Sequence, residues 1–227
     1  MARRRKKRGW KSWVAVPLML AAALVAIPLV LVPLYWVVPP VSTLMIGRYV
    51  TGHPVTRTWR DLDEISDRLK TAVVLSEDWQ FCNHHGVNVA ALQTEIDNFL
   101  AGRETRGAST ITMQVARNLF LTNSRSVVRK AIEVPLAMYI DLVLPKQRIM
   151  EIYINIAEWG PNGEFGTSAE SFPWQRATLM AVTLPNPHVR RPGNPTSGLV
   201  RAAGIVEARV RQFSSSAGCL FDGAPEL

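Results

Sequence analysis

Between Lys11 and Arg48 the chain carries no charged side chain, and Trp13 to Val38 is almost wholly Val, Leu, Ala, Ile, Met, Pro and aromatic residues. As a helix this run spans about 39 Å at 1.5 Å per residue, against about 30 Å of bilayer hydrocarbon. Pro17, Pro28 and Pro33 bend it, which a membrane helix tolerates better than a soluble one. Trp10, Trp13, Tyr35 and Trp36 cluster at its two ends, where amphipathic rings favour the membrane interface. A cleaved signal peptide has a shorter apolar region and a small-x-small cleavage site. Here the run is longer and ends in Val37-Val38-Pro39-Pro40, so an uncleaved anchor is the preferred reading. A buried soluble helix of this length with no polar residue is disfavoured.

Charge fixes the orientation. Seven of the 26 Lys and Arg residues lie among the first eleven, and no acid precedes Asp61. By the positive-inside rule the N-terminus stays in the cytoplasm and everything after Val38 lies outside, in a periplasmic or other extracytoplasmic space. From Arg48 onward, 19 basic residues face 18 acidic ones, so the net charge of +8 belongs to the tail. A nucleic-acid partner therefore loses its main support. Cys82 and Cys219 sit far apart, and two cysteines alone do not establish a disulfide. The expectation is one small buried side chain near a motif and one incidental residue in the tail.

The expected organisation is a basic tail (1–12), an anchor (13–38), a juxtamembrane connector (39–59), one mainly α domain (60–213) and a flexible tail (214–227). Leu62, Ile65, Leu69 and Val73 mark a helix leading to Glu77. Asn88 caps a second, with Val89, Leu92, Ile96 and Phe99, closing at Gly102. Ser109 or Thr110 caps a third, through Leu121. A fourth runs from about Ser126 to Leu144, kinked at Pro135. A fifth follows Pro145, and Ser197 caps the last, with Leu199, Ala202, Val206 and Val210. Pro161 to Gly166 reads as a Gly-rich turn and Pro185-Asn186-Pro187 as a further break. No two-residue alternation is sustained, and there are no internal repeats.

Four stretches carry chemistry. Glu77-Asp78-Trp79-Gln80-Phe81-Cys82-Asn83-His84-His85-Gly86 joins two acids, two histidines and a glycine at a break between helices. A carboxylate against apolar walls gains proton affinity and becomes a candidate base; the bland alternative is a solvated pair at a helix end. The histidines lack a third ligand at metal-site spacing. Arg106-Gly107-Ala108-Ser109-Thr110-Ile111-Thr112-Met113-Gln114 opens a helix with free N–H groups that suit phosphate, although a plain N-cap is commoner. It is no P-loop. Arg125, Arg129 and Glu133, spaced by four, share one helical face if the helix reaches back to 125, and Arg117 and Lys130 belong to the same group. That face is either a surface ion-pair ladder or a seat for a polyanion. In the last stretch, Lys146 to Asn155, residues Lys146, Met150 and Tyr153 share helical spacing, with an amphipathic structural helix as the default.

Together, in this order, the four stretches resemble the signature blocks of the peptidoglycan glycosyltransferase family, most of all its monofunctional biosynthetic transglycosylase branch. Glu77, Asp78, Phe81, His84 and Gly86 match the first block. Gly107, Ser109, Thr110, Ile111, Thr112 and Gln114 match the second. Arg129, Lys130 and Glu133 match the third, and Lys146, Ile149, Glu151, Tyr153 and Asn155 the fourth. Ile156-Ala157-Glu158-Trp159-Gly160 is similar to the monofunctional branch, and the resemblance spans about residues 60 to 212.

The resemblance implies a lysozyme-like helical domain facing the membrane and polymerising lipid II, with growing glycan strand as the second substrate. It implies Glu77 as the general base and Glu133 as the second acid, orienting cations or holding a divalent cation (Mg or Mn). Arg117, Arg125, Arg129 and Lys130 are the implied cations for the pyrophosphate. Asp78, His84, Ser109, Thr110, Gln114, Lys146 and Glu151 complete the implied site, and other cell-wall synthesis or division proteins are candidate partners. The inner membrane is the implied location, crossed once.

Three departures stand out. Met113 replaces the first Gln of the family's pair, which removes one amide from the site. Arg117 replaces Lys, turning a point charge into a fork. The chain passes from Phe165-Gly166 through Phe172-Pro173-Trp174 almost directly to Leu184-Pro185-Asn186-Pro187, lacking a helical segment with a Tyr-Phe pair, and looser packing of the last helices is expected. Two other functions stay open at this point: a lytic glycan-cleaving enzyme using Glu77 and Glu133, and a non-catalytic cell-wall scaffold. Cations between the two acids argue against the first, because a neutral glycosidic bond offers no pyrophosphate to stabilise.

Overall fold

The computed structural model describes residues 11–103, 107, 109–122, 124, 126–160, 164–166 and 173–223. The uncharged run forms helix α1 (Lys11–Leu34), with Pro17, Pro28 and Pro33 inside it. Among the described residues no helix is long and apolar enough to cross a membrane. The side chains of residues 11–14, 20, 21 and 24 lie outside the described set. The end of α1 docks on the domain: the Tyr139 hydroxyl donates to the Leu29 carbonyl (3.1 Å) and Trp36 Nε1 donates to the Val143 carbonyl (2.8 Å).

The centre of the domain is α3 (Asp67–Glu77), in which every residue from Leu69 to Leu75 is buried. A helix buried around its whole circumference needs neighbours on all sides. Here α8 (Trp174–Ala181), α9 (Ser197–Phe213) and a 3-10 turn (Ser214–Leu220) pack around it. Lys70 is tolerated inside because its Nζ reaches the Leu62 carbonyl (3.1 Å) and Asp67 (2.7 Å), and lies over the Phe221 ring. A second layer holds α5 (Ile111–Phe120) between α6 (Val127–Val143) and α7 (Lys146–Ile156). Outside it lies α4 (Val89–Leu100).

Several caps fall where side-chain chemistry puts them. Asn88, Thr110 and Ser126 each accept a hydrogen bond from the backbone N–H three residues on. Gly102 follows α4 at φ +67°. The mainly α expectation holds, with a small addition. Strand β3 (Glu164–Gly166) pairs in parallel with β1 (Thr56–Thr58) and antiparallel with β2 (Glu158–Gly160). Strands of three residues are too short to leave an alternation in sequence.

Other expectations are corrected. The connector 39–59 is folded: α2 (Thr43–Val50) is capped by Ser42, and the Thr43 hydroxyl donates to the Asn118 and Leu121 carbonyls at the end of α5. The helix expected from Leu62 is a 3-10 turn (Leu62–Glu64) and then α3, separated by extended backbone at Ile65. The last helix is capped by Thr196, not Ser197. The tail expected to be flexible forms the 3-10 turn Ser214–Leu220, with Ala217 and Leu220 buried. Cys82 and Cys219, expected to be unpaired, form a disulfide across 137 positions. The last two share a physical reason: the chain beyond α9 comes back to the loop beside Glu77, where the tail finds apolar cover.

The expected loosening of the last helices is also absent among the described residues. Ala177 and Ala181 of α8 and Leu199, Ala203, Val206 and Val210 of α9 are buried in the same core. Packing of α8 against both α3 and α9 closes the region.

Candidate active site

Glu77 is the last residue of α3, and Asp78 turns the chain away at φ −159°, ψ 74°. That turn separates two adjacent acids. Asp78 is 8% exposed, and its oxygens lie 2.9 and 3.1 Å from His84 Nε2. Asp78 Oδ2 also accepts from the Ile111 N–H (3.0 Å) at the start of α5, where a carboxylate is favoured by the helix dipole. Asp78 and His84, both expected to bind substrate, are thus committed to holding the loop against α5. Lys146 serves the same loop: its Nζ donates to the His84 carbonyl (2.7 Å), pairs with Asp141 (2.5 Å) and lies over the Phe81 ring.

Gly86 ends this loop at φ +78°, and a Cβ there would stand 2.4 Å from the Ala137 carbonyl oxygen of α6. Only glycine fits this approach. The Gly86 carbonyl accepts from the Thr110 hydroxyl (2.6 Å), which also caps α5. Thr110 is therefore structural.

Glu77 is half-buried and turns instead to Gln114, a residue that lines a cleft. Gln114 Nε2 donates to Glu77 Oε2 (3.0 Å), and the Tyr153 hydroxyl donates to Gln114 Oε1 (3.1 Å). Burial pushes the Glu77 carboxyl above the ordinary glutamate range, helped by Asp78; the Gln114 hydrogen bond and the charges of Arg190 and Arg117 oppose it. Burial also pushes the Tyr153 phenol well up, so its proton stays on.

The cleft has a volume of about 350 Å³, with Gln114, Arg117, Asn118, Arg129 and Tyr153 on one side and the Leu184–His188 loop on the other. The Arg117 Nε is buried with no hydrogen-bond partner among the described residues, and burial lowers the guanidinium's proton affinity. Arg129 pairs with Glu133, which is 1% exposed. Glu158, between Arg48 (2.6 Å) and His188 (3.1 Å), braces the far wall.

Lys130 stands in an adjoining groove of about 430 Å³, lined by Leu92, Ile96, Phe99 and Val127, where it meets Glu95 (2.9 Å) and the Ser109 hydroxyl (3.2 Å). Arg125 lies outside the described residues. Glu151 belongs elsewhere: it pairs with Arg148 and feels Asp61 and Asp63. Met113 is fully buried in the core, so its replacement of Gln takes no amide from the cleft.

Tyr153, Arg190, Glu158 and His188 were not among the expected site residues. Tyr153 and Glu158 carried a signal, in the fourth block and in the stretch that follows it; Arg190 and His188 sit in a stretch without a chemical pattern. Among the described residues no group of three or more His, Cys, Asp or Glu side chains is placed to hold a metal ion. Glu133, the implied metal residue, already neutralises Arg129. The described residues do not assemble a resident metal site.

A half-buried carboxylate within electrostatic reach of arginines can take a proton from a hydroxyl, while the arginines stabilise an anionic leaving group. The sequence model of a family described as transglycosylase matches residues 44–210. The chain belongs to the transglycosylase family. It is 48% identical over 211 residues to the biosynthetic peptidoglycan transglycosylase of Rhodopseudomonas palustris (strain TIE-1), covering 88% of this chain and 89% of that one. It is also similar to the proteins of that name from Mesorhizobium japonicum (44% identity, 94% and 96% covered) and Agrobacterium fabrum (44%, 90% and 96%). The transglycosylase match begins at residue 44, within α2, so it includes the folded segment ahead of residue 60.

Proposed function

We propose that this transglycosylase polymerises peptidoglycan glycan strands from lipid II, with Glu77 as the general base. Glu77 takes the proton from the acceptor sugar's 4-hydroxyl. That oxygen attacks the anomeric carbon of the growing strand, inverting it to a β-1,4 link and breaking the bond to undecaprenyl pyrophosphate. Arg117 and Arg129 meet the charge that develops on the leaving pyrophosphate, and Arg125 and Lys130 are further cations for it. The observation that carries this reading is Glu77, raised by burial and hydrogen-bonded to Gln114, which lines a cleft together with Arg117 and Arg129. Arg129 occupies Glu133, which disfavours a hydrolase needing two free carboxylates.

Membrane attachment through residues 13–38, with the N-terminus in the cytoplasm and the domain outside, fits a substrate that is itself a lipid. The uncharged run and the basic tail support it. So do apolar side chains left exposed on α4 and α6, among them Phe99, Leu100, Val127, Val128 and Leu142. Resistance to alkaline carbonate extraction checks the attachment, and release would count against it. A divalent cation enters this reading only as a counter-ion of the substrate pyrophosphate. Polymerisation with and without a chelator tests that role.

The deciding experiment uses purified full-length protein in detergent with labelled lipid II, comparing wild type with Glu77→Gln. Polymer from wild type and none from the variant is expected. A wild-type protein that binds lipid II without making polymer would point instead to a scaffold.

A further inference from the structure

We infer that Tyr153 is a positioning residue for the glycosyl-transfer base, acting through the side-chain amide of Gln114. The inference rests on the reading of Glu77 as that base. Ionised Glu77 is acceptor-only, so the Gln114 group facing it must be the NH2 end. The amide carbonyl then points the opposite way, where Tyr153 supplies the hydroxyl that donates to it at 3.1 Å.

Among the described residues no other side-chain hydrogen bond fixes the orientation of the Gln114 amide. Rotating the amide by half a turn would bring its carbonyl against the Glu77 carboxylate, two acceptors face to face. The Tyr153 hydroxyl is what makes the productive orientation the stable one. The hydroxyl is well placed for this task. Tyr153 is 1% exposed on α7, two positions before Asn155, whose Nδ2 donates to the Arg60 carbonyl and whose Oδ1 accepts from the Arg60 N–H. The helix is therefore fixed to the Arg60 backbone just beyond the tyrosine, and its phenol keeps its proton through burial. The three residues come from three helices, α3, α5 and α7, so the relay also sets the relative placement of base and cleft wall.

The test is the pH dependence of kcat/KM for lipid II polymerisation by full-length protein in detergent. The variants are Tyr153→Phe, Gln114→Ala and the pair together. Without the hydroxyl the donor end of Gln114 is no longer held toward Glu77, so the ionised base is less favoured and the acid limb moves to higher pH. Tyr153→Phe is expected to lose roughly threefold to tenfold on the acid limb, the worth of about one net hydrogen bond, and to approach wild type at alkaline pH. The double variant is expected to lose no more than Gln114→Ala alone, because both substitutions cut one chain.

An equal loss at every pH, or losses that multiply in the double variant, would overturn the inference and leave Tyr153 as a packing residue. If Tyr153→Phe does not fold, Gln114→Ala carries the test, and an unmoved acid limb there overturns it equally. Glu77→Gln separates the two levels. An active Glu77→Gln removes the base itself, whereas an inactive one with an unmoved limb in Tyr153→Phe removes only the positioning role.

Discussion

Glu77 and Asp78 are adjacent in the chain but sit in different environments: Asp78 is satisfied by His84 and the Ile111 N–H, while Glu77 is held by one amide donor, Gln114 of the cleft wall. A carboxyl whose proton affinity is raised by folding binds more protons in the native than in the unfolded state. Stability contributed by this site therefore falls as pH rises from the ordinary glutamate range through the raised native value. Glu77→Gln should accordingly melt higher than wild type at pH 8, the difference shrinking toward acid pH, while polymerisation is lost. A thermal melt at two pH values checks it, and a lower Tm for the variant at pH 8 would contradict it. At Arg117 the charge matters more than the fork. Arg117→Lys should keep activity within about tenfold, and Arg117→Ala should lose roughly 10²–10³-fold in kcat, the range for removing one preorganised electrostatic contact. Gly86→Ala places a methyl group into the Ala137 carbonyl at positive φ and should cost roughly 2–4 kcal/mol, read as a fall in Tm.

Among the elements, the 3-10 turn Ser214–Leu220 is tied to the loop after Glu77 by the Cys82–Cys219 bridge and by the Cys219 N–H, which lies 3.3 Å from Cys82 Sγ. Closing a loop of 137 positions restricts the unfolded chain strongly. Replacing both cysteines by serine should lower stability by about 2–4 kcal/mol, measured by denaturant unfolding of the oxidised protein against the variant. A bridge that forms in an oxidising compartment also agrees with the proposed placement outside the cytoplasm. The Leu184–His188 loop depends on its neighbours in the same way. Glu158 joins it to α2 through His188 and Arg48, so the segment expected to be a passive connector helps shape the cleft.

For the whole molecule, the helical core and the order of the functional blocks were legible from Leu, Ile and Val at helical spacing and from caps at Asn88, Thr110 and Ser126. These are local signals: a cap reaches three residues and a helical face repeats within four. The family resemblance, not spacing, chose Glu77 among the acids, together with Gln114 and Arg117, while local pattern marked only the Glu77-Asp78 pair. Local pattern did not reveal α8, nor the three short strands, whose pairing partners lie far away in the chain. Nor did it show that Glu151 faces Arg148, that Met113 points into the core, or that Cys82 meets Cys219. Each of those depends on which side of a helix meets which neighbour after the chain has closed on itself. The sequence by itself determined most of the helices, several of their caps and the residue types available to the cleft, because those follow from interactions within a few residues. Tertiary structure alone decided which acid stays reactive and which tyrosine orients its partner, because burial and hydrogen-bond reach are properties of helices packed together.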